Sequence, residues 1–219
     1  MRFCAFETAT DWCSVALWLE GESRSLEQRA PNGHAELALP MLERLLAAAG
    51  LGVRALDAVA FGAGPGAFTG LRIACGLAQG IAFARDLPVI GIPTLEALAE
   101  DAGAPRVVAC LDARMGEVYY AALERQGGRW REVVPARCAP PADFLPPPGE
   151  GWIGCGNGFE AHGSMGLARV LPAVHPSAAA VARLAAPRLA AGEGFEAAQA
   201  APDYVRDKVA FTQAELAAR

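Results

Sequence analysis

Short apolar runs alternate with helical patterns along the first half of the chain. Residues 36–49 place their apolar side chains on one face of a predicted helix. The apolar run 56–62 predicts a buried strand, and the glycine-rich turn after it leads into a helix predicted over 69–85. A short apolar strand follows, and then a helix over 93–101 with Thr94 as its candidate N-cap. Helices between apolar strands indicate a mixed α/β sheet.

The opening pattern of the chain occurs twice. An apolar run ends at Glu7, and a short polar turn leads to a second apolar run, SVALWL. About half the chain later, an apolar run again ends in an acid, Asp112, before a polar turn and the run VYYAAL. Each half is therefore predicted to open with a hairpin whose turn follows a carboxylate, which favours a duplicated α/β unit. We place an N-terminal subdomain at 1–103 and a smaller, less regular C-terminal subdomain at 104–219.

The second half has weaker patterns. Six prolines between 135 and 148 exclude a helix interior or a central strand and predict an exposed connection. The run WIGCGNGF predicts a strand that enters a glycine-rich turn. Residues 176–192 predict a helix capped by Ser177, with a break or kink near Pro187. The tail, 202–213, is predicted to be a strand or a docked arm.

Composition and charge narrow the class of protein. The chain has 219 residues, is 53% hydrophobic and carries a net charge of −5, which is typical of a globular protein. Its only lysine is Lys208, and it has no run of basic residues, so tight nucleic-acid binding by this chain alone is not expected. Without C-x-x-C pairs, a signal sequence or an apolar stretch of membrane-spanning length, the chain is predicted to be reduced, soluble and cytoplasmic.

The glycine-rich turn GAGPGAFTGLR at 62–72 has two interpretations. A P-loop needs a lysine where this chain has Phe68, and a dinucleotide fingerprint lacks its third glycine at Thr69. Contact with a phosphate or nucleotide stays open, but close packing against another helix or chain is favoured. Gly76 and Gly80, one turn apart in the following helix, agree with close packing, either on the chain's own sheet or on a second subunit.

Catalytic and metal-binding patterns are absent from the sequence. The three histidines lack the spacing of a metal pair and are expected to face solvent or make local hydrogen bonds, and no G-x-S-x-G elbow occurs. Glu7 and Asp112 are the best carboxylate pair; they could orient a metal-bound nucleotide across a cleft, or each could only hydrogen-bond its own turn. Arg72 and Arg114 are candidate anion or ion-pair groups. The residues of a degenerate nucleotide cleft would be Glu7, Thr8, Gly64, Gly66, Thr69, Asp112 and Arg114.

The stretch GAGPGAFTGLRIACGLAQGIAFARDLPVIGIPTLEALA resembles the signature region of the TsaB (YeaZ) family. The opening FETATDWCSVAL, the later LDARMGEVYYA and the tail PDYVRDKVA resemble the family in the same order, so the resemblance spans nearly the full chain. It implies the fold of actin, sugar kinases and heat-shock chaperone ATPases, with two duplicated subdomains of mixed sheets flanked by helices. One departure is Glu7, where many relatives have aspartate, and it makes nucleotide hydrolysis by this chain still less expected.

The resemblance also implies a function. The chain would be a non-catalytic subunit of the bacterial machinery that makes threonylcarbamoyladenosine next to the tRNA anticodon. It would bind and support a TsaD-like catalytic subunit, which a TsaE-like ATPase joins, and would meet tRNA only through that complex. Alone it would form a homodimer; it would need no cofactor or metal, although ATP or ADP could bind at the complex interface. The implied interface residues are Leu37, Met41, Leu42, Leu45, Leu71, Cys75, Ala78, Gln79 and Ala82.

Two other functions compete with this one. A small-molecule kinase or ATPase of the same fold would need a complete phosphate cleft and a catalytic carboxylate. A peptidase, a label attached to relatives, would need a metal pair or a nucleophile that the sequence does not offer.

Overall fold

Two five-stranded sheets form the framework of the protein. A computed structural model describes residues 1–206, so the predicted tail from residue 207 onward, with Lys208, lies outside the described residues. The first sheet contains β1 (Arg2–Glu7), β2 (Trp12–Leu19), β3 (Glu22–Arg29), β4 (Ala58–Gly64) and β5 (Val89–Pro93). The second contains β6 (Arg106–Arg114), β7 (Glu117–Gln126), β8 (Arg129–Ala139), β9 (Ile153–Cys155) and β10 (Val170–Leu171).

The two sheets have the same topology. Their strand orders are β3-β2-β1-β4-β5 and β8-β7-β6-β9-β10, so each strand of one sheet has a counterpart in the other. In both sheets three strands form an antiparallel meander, and the fourth strand pairs in parallel with the first. The predicted duplication is therefore confirmed, and with it the fold class of duplicated α/β units.

In the described part of the chain five α-helices cover the sheets: α1 (His34–Ala48), α2 (Phe68–Phe83), α3 (Thr94–Ala102), α4 (Asn157–His162) and α5 (Ala178–Ala190). Helices α1 and α2 bury their apolar sides on one face of the first sheet, and α5 covers the opposite face. Helix α3 contributes side chains to the cores of both sheets, while α4 packs on the second. The division at 103/104 stays a prediction; α5 comes from the later part of the sequence but packs against the earlier sheet.

Three local predictions are wrong. The segment from Pro135 to Ala139 belongs to β8, because β8 is an edge strand and a register shift in its pairing with β7 accommodates the proline. The break predicted near Pro187 does not occur, because α5 continues past this residue to Ala190 and the missing N–H removes only one hydrogen bond from the last turns; the alternative, a kink, stays a prediction. Thr94 is the first residue of α3 rather than its cap, since its hydroxyl group has other partners.

Other local predictions are confirmed. The helices predicted over 36–49 and 69–85 are α1 and α2, and Ser177 caps α5 by accepting a hydrogen bond from the Ala180 N–H. Within residues 1–206, no helix combines the length and the apolar character needed to cross a bilayer.

Candidate functional site

The glycine-rich turn packs against the turn between β1 and β2. The Ala67 N–H donates to the carbonyl oxygen of Ala9 at 2.8 Å, and the Thr8 hydroxyl group donates to the carbonyl oxygen of Gly70 at 2.7 Å. A Cβ atom on Gly70 would overlap the Thr8 carbonyl oxygen, and one on Gly66 would lie 2.5 Å from Ala9 Cβ. The close approach indicated by these glycines is therefore an approach to a turn of the same chain.

The side chain of Glu7 supports the contact between these two turns. Its side chain is fully buried; Oε1 accepts from the Ala9 N–H at 2.8 Å, and Oε2 accepts from the Thr94 hydroxyl group at 3.2 Å. The Thr94 Oγ1 atom in turn accepts from the Gly64 N–H at 3.1 Å. Gly62 leaves the space that the Glu7 carboxyl group occupies, because a Cβ atom there would overlap it. Glu7 thus links β1, the glycine-rich turn and α3.

Burial dominates the electrostatics of Glu7. Loss of hydration raises its pKa from 4.5 to about 7, and the hydrogen bonds from Ala9 and Thr94 oppose that rise only in part. Within residues 1–206 no cationic side chain forms an ion pair with Glu7. The carboxyl group is therefore a buried, hydrogen-bonded link near its titration point at neutral pH.

A cleft of about 460 Å³ lies between the two halves, where the glycine-rich turn faces the β6–β7 hairpin. Of the seven residues predicted to form a nucleotide cleft, Gly66, Asp112 and Arg114 line it. Glu7 and Thr8 are wholly buried and Gly64 is buried beside them, whereas Thr69 is exposed on the first turn of α2. The structure therefore does not place Glu7 and Asp112 as a carboxylate pair on the cleft wall.

The Asp112 carboxylate interacts with a residue of its own turn. Its Oδ1 atom accepts from the Arg114 N–H at 3.0 Å, and Oδ2 lies 3.3 Å from the Arg114 guanidinium group. The Asp112 N–H donates to Asn157 Oδ1, and Arg114 also lies 3.8 Å from Asp11 of the other half. Glu7 binds Ala9 as Asp112 binds Arg114, so both carboxylates make the turn hydrogen bonds expected as the simpler alternative.

Each histidine has a local polar neighbour. His34 Nε2 lies 2.8 Å from the Thr10 carbonyl oxygen, and His162 Nε2 lies 3.6 Å from Asp112 Oδ1. His175 Nε2 lies 3.3 Å from Glu27 Oε2, and its ring stacks on the Trp12 ring at a centroid distance of 4.1 Å. Among residues 1–206, no three His, Cys, Asp or Glu side chains converge closely enough to share a metal ion.

Most residues implied as a partner interface face the protein's own core. Leu37 and Gln79 are partly exposed, and the buried ones are Met41, Leu42, Leu45, Leu71, Cys75, Ala78 and Ala82. The outer side of α2 instead presents Arg72, Gly76, Gly80 and Phe83, and the Phe83 side chain is 81% exposed. Helical periodicity could have identified this exposed side, since residues 76, 80 and 83 lie on the side of the helix opposite residues 71, 75, 78 and 82.

Tyr204 and Arg206 also line the cleft. Both lie in the tail predicted to be a strand or a docked arm, but neither was among the predicted site residues. They reach the cleft from the far end of the chain, and contacts of such long sequence separation leave no local periodicity.

Comparison with known proteins agrees with this architecture. The sequence profile of the family described as "TsaD: tRNA N6-adenosine threonylcarbamoyltransferase" matches residues 27–153. The "tRNA threonylcarbamoyladenosine biosynthesis protein TsaB" of Escherichia coli is 36% identical over 224 aligned residues, covering 96% of this chain and 97% of that protein.

The chain belongs to the TsaB family. The TsaB protein of Haemophilus influenzae is 43% identical over 153 residues, 64% of this chain and 65% of that protein. The solved structure of YeaZ from Pseudomonas aeruginosa is 40% identical and superposes with a TM-score of 0.88, covering 93% of this chain and 99% of that one. The family resemblance carried by the glycine-rich signature is thus confirmed, and the chain is a homologue of proteins of tRNA threonylcarbamoyladenosine biosynthesis.

Proposed function

We propose that this chain is the non-catalytic partner subunit of the complex that transfers threonylcarbamoyl to the adenosine next to the tRNA anticodon. It binds and supports a TsaD-like catalytic subunit, a TsaE-like ATPase joins the pair, and tRNA is met only through the complex. Membership of the TsaB family supports the pathway. The exposed outer face of α2 supports the binding role.

This face is apolar, smooth and open. Between Arg72 and Arg85 the helix has no charged residue, and Cβ atoms at Gly76 and Gly80 would meet nothing within 4 Å. Each glycine in a helix costs up to about 1 kcal/mol relative to alanine. No part of the described chain packs close enough to Gly76 or Gly80 to explain why glycine stands there. Beside them lies Phe83, whose side chain is 81% exposed, more than any other large hydrophobic side chain among residues 1–206. Such a surface fits close approach by a second helix.

The cleft gives less support to a kinase or ATPase of the same fold. Such an enzyme needs a carboxylate that faces the bound phosphates, but Glu7 is buried behind the turn and Asp112 already binds Arg114. In the proposal, any ATP or ADP therefore binds between subunits, and the same face of α2 forms the homodimer when the catalytic subunit is absent.

Gly76→Arg tests the binding role. Gly76 is exposed and unobstructed, so the variant is expected to fold, while the arginine would place a long charged side chain in the middle of the apolar face. We expect affinity for the TsaD-like protein of the same organism to fall about a hundredfold or more, measured by sizing-column light scattering and calorimetry. Arginine at Cys75 or Ala78 would be uninformative, because both side chains are buried in the core.

Ala190→Arg is the matched control. It places arginine at another exposed small residue, at the end of α5 on the opposite face of the same sheet, and should leave the complex intact. Equal binding by Gly76→Arg and the wild-type chain would reject α2 as the interface. Absence of any complex with the wild-type chain, together with ATP turnover by the pure protein, would favour the kinase.

A further inference from the structure

The last described segment of the chain is fixed first to the N-terminal half. Phe195 pairs with Val89 on the open edge of β5, through two backbone hydrogen bonds of 2.8 and 2.9 Å. The Ala200 carbonyl oxygen accepts from Gln79 Nε2 on α2 at 2.9 Å. The Asp203 N–H then donates to the carbonyl oxygen of Ala63, beside the glycine-rich turn, at 2.7 Å.

Tyr204 lies on the first turn of α2. Its ring is 5.7 Å from the Phe68 ring, and its hydroxyl oxygen accepts from Arg72 Nε at 3.1 Å. The Arg72 guanidinium group in turn lies 3.8 Å above the centre of the Phe68 ring. The three side chains form one cluster, of which Phe68 and Tyr204 line the cleft.

The next two residues bind the C-terminal half. Val205 packs against the core of the second sheet. Arg206 forms an ion pair with Glu117, donates to the Arg114 carbonyl oxygen and lies 5.6 Å from the centre of the Tyr119 ring. Only 12% of the Arg206 side chain is exposed, so solvent screens this ion pair less than it screens a surface pair.

We propose that residues 203–206 form a latch that holds the two halves together across the cleft. All four residues line the cleft, and within this short span the chain passes from anchors on the N-terminal half to anchors on the C-terminal half. These anchors are a few hydrogen bonds, one ion pair and ring contacts, far fewer than the contacts in the core of either sheet, so the latch can open while both halves stay folded. Opening frees Arg206 and exposes the cleft walls to solvent or ligand.

Charge reversal at Arg206 tests the latch by hydrogen–deuterium exchange on the full chain. Arg206→Glu places like charges opposite each other at Glu117, and we expect at least about tenfold faster exchange in residues 66–72 and 112–119. Exchange in β1 and β4 should not change. Adding Glu117→Arg to this variant restores the opposite charges and should restore most of the protection. Tyr204→Ala removes the anchor on α2 and should accelerate exchange in the same two segments.

Arg131→Glu is the control. It reverses a charge opposite Glu124, and because both residues belong to the second sheet, this ion pair does not connect the two halves. It should leave exchange at 66–72 as in the wild-type chain. Unchanged exchange at 66–72 in Arg206→Glu would overturn the latch. So would faster exchange throughout, including β1 and β4, because it would show a general loss of stability, and so would failure of the double variant to recover protection.

Discussion

Gly70→Ala is expected to destabilise the protein by about 3 kcal/mol. The added methyl group would overlap the carbonyl oxygen of Thr8, which is backbone and cannot rotate away. The shift needed to relieve the overlap would also disturb the 2.7 Å hydrogen bond from the Thr8 hydroxyl group to the Gly70 carbonyl oxygen. The better helix propensity of alanine, up to about 1 kcal/mol, does not offset this loss. Urea unfolding followed by circular dichroism measures the difference.

Gly76→Ala separates this effect from helix propensity. It makes the same substitution in the same helix, where a methyl group meets nothing within 4 Å, and should stabilise the chain by about 0.5–1 kcal/mol. If Gly70→Ala were as stable as Gly76→Ala, the contact between α2 and the β1–β2 turn would not be the reason for the glycine at 70.

Local and repeated patterns predicted the fold. The two acid-ending runs at Glu7 and Asp112 located both hairpins, since alternation and turn residues act within a few positions. The density of glycines from 62 to 70 predicted a close approach, and the structure shows one. Periodicity could not show which chain comes close, and here it is the β1–β2 turn.

The missed features depend on contacts between distant residues. Thr94 has the sequence position of a cap, but its hydroxyl group is drawn to Glu7, 87 residues away. Most of the α1 and α2 residues that the resemblance implied as a partner interface fill the chain's own core instead, because an apolar stripe does not show which surface covers it. The contacts of Tyr204 and Arg206 depend on how the two halves meet, which neither half encodes locally.

Glu7 should make the stability of the protein fall as the pH rises from about 4.5 to about 7. Its pKa is raised to about 7 in the folded chain, against 4.5 as its ordinary value. Below 4.5 the carboxyl group is protonated in both states and costs nothing. Between the two values the unfolded chain ionises while the folded chain keeps its proton, so unfolding becomes easier. Once the pH exceeds about 7, the accumulated loss is about 3 kcal/mol.

Glu7→Gln isolates this contribution from all other titrating groups. Its amide oxygen can accept from the Ala9 N–H and its amide nitrogen can donate to Thr94 Oγ1, so the link among β1, the glycine-rich turn and α3 is kept without a charge. The stability of the variant minus that of the wild-type chain should rise by about 3 kcal/mol between pH 4.5 and pH 8, in urea unfolding at each pH.

Glu22→Gln, at an exposed residue of β3, is the control for simple loss of a negative charge. Imperfect packing of the amide would change the stability of the variant by the same amount at every pH, so the pH dependence of the difference could still be measured. A difference that stays flat with pH, or falls, would show that the pKa of Glu7 is not raised in the folded protein.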